Sequence, residues 1–162
     1  MATSQPTNTQ PVAAVVVDAN IAIAICANEA GAVNASIAID HYAKLKAEFF
    51  APGAIIVETL YVLCGKLRDG ILTGAEHSRA IQDFALFMRL VRSTPNGDGA
   101  LVLRAEAVRG SYSCRRTSDG IYIALAEELA SYRPTTLLTF DENMVKQTAR
   151  TSPSVSVHLI AV

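Results

Sequence analysis

A chain of 162 residues with 51% hydrophobic content is large enough to bury one core without disulfide or metal staples. Its formal net charge of −1 excludes a generally basic nucleic-acid-coating protein, so any RNA contact has to come from a local patch. The 3 cysteines, Cys26, Cys64 and Cys114, form no CxxC pair and cannot all pair within one chain, which reads as reduced thiols in a cytoplasmic protein.

Residues 1–11 (MATSQPTNTQP) are polar, with neither a positive start nor an apolar run before a cleavage site, so a disordered tail is expected there and a single domain over 12–162. No apolar stretch approaches the roughly 20 residues that cross a bilayer, and no membrane contact is expected. Val12 to Val17 is a β-branched run that ends at Asp18, as a strand buried on both faces does. Ala19 to Ala27 predicts a short helix despite its alternating isoleucines. Val33, Ile37, Tyr42 and Leu45 mark the apolar face of an amphipathic helix from Val33 to Ala47, and a strand over Glu48 to Ala51 follows. After Pro52-Gly53, the residues Ile55, Ile56, Leu60, Leu63 and Leu67 repeat at helical spacing up to Gly70, which places Glu58 in the early turns of a helix.

Thr73 and Glu76 have the spacing of a capping box, opening a helix that runs to about Val91. Pro95 to Gly99 is a turn. Leu101, Val102, Ala105 and Val108 form the apolar face of a helix ending near Gly110, and Ser118 reads as the N-cap of another over Asp119 to Ala130. Thr135 to Phe140 is a strand that delivers Asp141, repeating the pattern of the first strand. A short polar helix over Asp141 to Ala149 and a strand over Val155 to Val162, alternating Val155, Val157, Leu159 and Ala161 with Ser156 and His158, complete the chain. This order implies an α/β fold, a three-layer α/β/α sandwich on a mostly parallel central sheet.

In open parallel sheets, ligands bind beyond the carboxyl ends of the strands. Asp18 and Asp141 fall there, and Asp119 and Glu58 are placed to reach the same edge. An acid in a first helical turn is common without function, because it favours the macrodipole. Glu58 is harder to dismiss: it interrupts Ile55-Ile56-Val57 and Leu60, where a partly buried carboxylate has to be compensated. Two like charges 4 Å apart repel by about 1 kcal/mol in water and about 4 kcal/mol at an effective dielectric of 20, and a divalent cation removes that cost. The donors are all hard oxygen, and His41, His77 and His158 stand apart from them, which favours Mg2+ or Mn2+ over zinc. Carboxylate-held metal suits phosphodiester hydrolysis.

The segments VVVDAN (15–20), APGAIIVETLYVL (51–63), TSDGIYIALAEEL (117–129) and LLTFDENM (137–144), in this order, resemble the PIN-domain ribonucleases, and especially the VapC toxins of bacterial toxin–antitoxin pairs. The resemblance implies a PIN-like fold and hydrolysis of RNA by a metal-activated water. It makes Asp18, Glu58, Asp119 and Asp141 the metal ligands and catalytic acids, with Asn20 and Thr139 assisting through hydrogen bonds to ligands or bound water. It also implies a homodimer and, for VapC members, a small antitoxin protein that plugs the site. Arg109, Arg115 and Arg116, with Lys66 and Arg68, are candidates for a phosphate-binding rim. The chain departs from the family in its N-terminal extension and in Gly120, where many relatives carry alanine. Glycine costs up to about 1 kcal/mol inside a helix but little in its first turn, so catalysis is not put in doubt there.

A phosphotransferase of the haloacid dehalogenase type needs a second acid two positions after the strand-end Asp, where this chain has Asn20. A response-regulator receiver carries extra acids before that Asp and a late lysine followed by proline, and this chain has neither. The alternative from another class is a PIN-fold module that binds RNA or protein without cutting. Retention of all four acids counts against it.

Overall fold

The computed structural model describes residues 13–110 and 119–162. The expected tail, the Ser118 cap, Cys114, Arg115 and Arg116 lie outside them. Five strands form one sheet: β1 (Ala14–Val17), β2 (Glu48–Phe50), β3 (Val91–Arg92), β4 (Thr135–Thr139) and β5 (Ser156–Leu159). Their spatial order is β3-β2-β1-β4-β5 and every pairing is parallel, with Val15 opposite Phe49 on one side and Thr136 on the other. The mostly parallel sheet expected from sequence is thus wholly parallel among the described residues. From central β1 the chain steps outward through β2 to β3, then crosses back to β4 on the far side of β1 and goes on to β5, so its direction of winding reverses between β1 and β4. The crevice of such a sheet opens beyond the carboxyl ends of those two strands.

Seven α-helices are described: α1 (Ala19–Cys26), α2 (Ala32–Lys44), α3 (Ala54–Arg68), α4 (Gly74–Phe87), α5 (Val102–Gly110), α6 (Asp119–Ala130) and α7 (Glu142–Thr151), with a 3₁₀ turn at Asp98–Leu101 before α5. The core joins Val15, Val16 and Val17 of β1 with Leu137 and Leu138 of β4, almost all of α1, and Ile123, Leu125 and Leu129 of α6. The alternation of isoleucines in α1 does not mark a half-exposed strand, because Ala22 and Ala24 between them are buried as well as Ile21 and Ile23; a helix buried round most of its surface needs no amphipathic period. The capping box of α4 is present, with Glu76 N–H donating to Thr73 Oγ1 and Thr73 N–H to Glu76 Oε2.

Three expectations are corrected. The helix after Thr73 ends at Phe87, and Val91–Arg92 forms β3, a strand of two residues, too short to show any period. Val33, Ile37 and Leu45 of the second helical segment point outward, at 72%, 62% and 63% exposure, while Ala32, Ala35 and Ala38 are buried. α2 lies against α1, and small side chains let two helix backbones come close, so the alanines face inward and the larger residues do not. The last strand spans only Ser156–Leu159, with Val155 and Ile160 buried on either side of it while Leu159 is exposed, as befits an edge strand. Gly120 has a packing role that its helix propensity does not show. A Cβ there would lie 2.8 Å from the Ala105 carbonyl oxygen, so the glycine is what lets α5 sit against the first turn of α6.

Candidate active site

The short buried strand β1 drives Asp18 out at its carboxyl end, where the chain turns at once into α1. Asp18 is only 6% exposed. Burial, reinforced by the charges of Asp119 and Glu58, pushes its carboxyl up to about 7, against the pull of hydrogen bonds from Thr139 and the Ala19 amide. Asp119 and Glu58 are therefore both within electrostatic reach of Asp18. Each comes from a different element: Asp18 from the end of β1, Glu58 from the second turn of α3, and Asp119 from the first residue of α6.

Thr139 is the hub of this edge. Its hydroxyl donates to Asp18 Oδ2 at 2.6 Å and accepts from Asn20 Nδ2 at 3.2 Å and from the Asp141 backbone N–H at 3.0 Å. One donated and two accepted bonds satisfy a hydroxyl fully, so Thr139 can only hold Asp18 in the orientation seen. Asn20 Oδ1 in turn accepts the Phe140 N–H, sewing the start of α1 to the end of β4. Asn20 and Thr139 thus stand where the sequence put them, beside the acids. Asp141 joins through its backbone, while its side-chain Oδ1 accepts the Asn143 N–H at 2.7 Å and caps α7.

Tyr122 went unread in the sequence. Its buried hydroxyl donates to Glu58 Oε2 at 2.8 Å, and burial, with the charges of Glu58 and Asp18 close by, pushes its pKa far above the ordinary phenol value. It lies one helical turn after Asp119, on the same face of α6. A tyrosine buried in a helix of alanine, isoleucine and leucine needs a partner for its hydroxyl, and that was the available signal.

Of the candidate rim cations, Arg109 pairs with Glu106 at 2.7 Å, Lys66 with Glu29, and Arg68 with Asp69 at 2.9 Å. Each of the three thus faces an acid on the protein itself. His158 Nδ1 is bonded to the Tyr42 hydroxyl at 3.0 Å, away from the acids.

The donor set fits a hard divalent cation. It consists of carboxylate oxygens around one buried member, Asp18, whose ionisation the site resists until positive charge arrives. Among the described residues no three acids, histidines or cysteines already close into a cage for an ion. Mg2+ does not require one, since it commonly keeps several waters and takes only one or two carboxylates directly.

Comparison with known proteins bears on this arrangement. Residues 15–150, most of the chain, match the family model of the PIN domain. The fold is similar to a chain in a solved structure of VapBC2 from Rickettsia felis bound to a DNA fragment from their promoter. The TM-score is 0.64 at 11% identity, over 91% of this chain and 99% of that one. At that identity the likeness is one of fold. No curated protein matches the chain in sequence.

Proposed function

The chain belongs to the PIN domain family, and from that premise we propose that it is a Mg2+- or Mn2+-dependent ribonuclease hydrolysing RNA phosphodiester bonds. The observation that supports this reading is buried Asp18 at the carboxyl end of β1, its carboxyl pushed up to about 7 by burial and by the charges of Asp119 and Glu58. A family nuclease site needs acids gathered against their own repulsion, and structural acids have no reason to gather so.

In this reading Asp18, Glu58, Asp119 and Asp141 hold the cation. When bound, it supplies Lewis-acid stabilisation of charge on the phosphate and makes water nucleophilic at neutral pH. Thr139 and Asn20 orient Asp18 through the bonds described above. Tyr122 holds Glu58 Oε2 by donation, which leaves Oε1 for the cation. The buried core behind β1 and β4 supplies a rigid base, so that the acids do not have to be ordered when substrate arrives.

The chain acts, on this proposal, as the toxin of a toxin–antitoxin pair, working as a homodimer and held in check by a small antitoxin protein. The four sequence segments support this, as does the fold shared with a chain of the VapBC2 structure. Purified protein is expected to cleave RNA in Mn2+ or Mg2+, with activity lost in EDTA and in Asp18→Asn and Asp119→Asn. Equal cleavage by the wild type and both variants sinks the ribonuclease reading. Binding of RNA without cleavage by any of them establishes the non-cutting module instead.

A further inference from the structure

The turn after β3 reads in sequence as Pro-Asn-Gly punctuation and nothing more. In the fold, its acid makes two bonds, one of them to the start of the helix that carries Glu58. Asp98 Oδ2 accepts the Gly53 N–H at 2.7 Å, and Asp98 Oδ1 accepts the hydroxyl of buried Thr94 at 2.5 Å. Gly53 is the N-cap of α3 and has no side chain with which to cap its own helix. Asp98 supplies that cap from 45 residues away, and its charge meets the positive end of the helix dipole.

The fit is close, since a Cβ on Gly53 would stand 3.0 Å from Asp98 Oδ2. Just upstream, the Ala51 N–H donates to the Arg92 carbonyl at 3.1 Å, so the exits of β2 and β3 are already joined where the latch begins. On its other side the 3₁₀ turn lies against α6, with Leu101 buried. One turn therefore holds Gly53, the N-cap of α3, with Glu58 five positions later on that helix, and rests on α6, which presents Asp119 and Tyr122.

We propose that Asp98, oriented by Thr94, is a positioning residue that holds α3 at the height where Glu58 meets the Tyr122 hydroxyl and faces Asp18. The proposal rests on the ribonuclease reading for its kinetic test only. A misplacement of about 1 Å in a catalytic group can cost on the order of a hundredfold in rate, so a small shift of α3 suffices.

The test compares Asp98→Ala and Thr94→Val with Asp98→Asn and Thr94→Ser, at a temperature well below the unfolding midpoint of each. In Asp98→Asn the amide oxygen can still take the Gly53 N–H while Nδ2 donates to Thr94 Oγ1. Asp98→Ala is expected to lower kcat on RNA about tenfold or more with KM within about twofold, and Asp98→Asn to restore most of the loss. Wild-type kcat in folded Asp98→Ala overturns the proposal, as does a loss in Asp98→Asn equal to that in Asp98→Ala.

A crystal structure of Asp98→Ala reads the same point without activity. Displacement of Glu58 from Tyr122 supports the latch, and an unchanged 2.8 Å bond overturns it. If Asp98→Ala does not fold, Thr94→Val, which leaves the Gly53 cap acceptor in place, carries both comparisons. If wild type shows no cleavage that Asp18→Asn abolishes, the ribonuclease reading falls and the crystal structure alone decides the latch.

Discussion

Asp18 is asked to be two things at once, a buried side chain at the end of a core strand and an anion ready for a cation. The first demand raises its carboxyl to about 7 from an ordinary 3.8. A carboxyl raised on folding contributes stability that is full below its unfolded pKa and is lost as pH climbs through the folded one. Metal-free protein should therefore weaken between about pH 4 and pH 7 on account of this residue, by an amount on the order of 4 kcal/mol at most. Asp18→Asn removes that titration. Urea unfolding of the metal-free forms is expected to show similar stability at pH 4 and a more stable Asp18→Asn at pH 8, with Mn2+ closing the gap for the wild type only. A variant no more stable than wild type at pH 8 would show that the site does not strain Asp18. Thr139 was legible as a polar residue at a strand end. Its role as the hydroxyl shared by Asp18, Asn20 and Asp141 was not, because its partners lie up to 121 residues away.

Among the elements, the contact of α5 with α6 shows why a local rule misleads. Glycine in a helix is read by its propensity cost, which is small in the first turn. Here the deciding term is the 2.8 Å that a Cβ would leave to the Ala105 carbonyl oxygen, a backbone atom that cannot swing aside. Gly120→Ala gains helix propensity and loses unfolded-chain entropy, together worth up to about 1 kcal/mol. It must also push α5 outward, at a cost of about 1–3 kcal/mol. The net expectation is a less stable protein by denaturant titration, with lowered activity because Asp119 is the preceding residue; a more stable variant would contradict the close approach. α2 teaches the same lesson from the other side, its alanines winning the buried face from Val33 and Ile37 because α1 lies so near.

Over the whole molecule, exposed large apolar residues are spread among several elements, and α3 carries a run of them beside Glu58. Val57, Leu60 and Tyr61 of α3, the last at 76% exposure, flank Glu58 in the chain. Contiguous exposed apolar surface marks contact with another protein, and the homodimer of the proposed function gives that face a partner. Sedimentation equilibrium is expected to show a dimer that Tyr61→Glu converts to monomer; a monomeric wild type would remove the dimer from the proposal. No helix among the described residues is long and apolar enough to cross a membrane.

The chain's own pattern determined the α/β class, the order of the long helices, and the strand-end delivery of Asp18 and Asp141, because these follow from local period, punctuation and caps. Only the tertiary structure decided the rest. It set the strand order β3-β2-β1-β4-β5, the use of Tyr122 against Glu58, and the Asp98 cap on a helix 45 residues upstream. It also decided that the four acids of the sequence reading are unlike in their surroundings. Asp18 is raised by its burial and further by Asp119 and Glu58, whereas Asp141 spends one oxygen on its own helix. Residues distant in the chain share a hydrogen bond or a field only once the sheet has brought their elements to one edge, and no local pattern in the sequence records that distance.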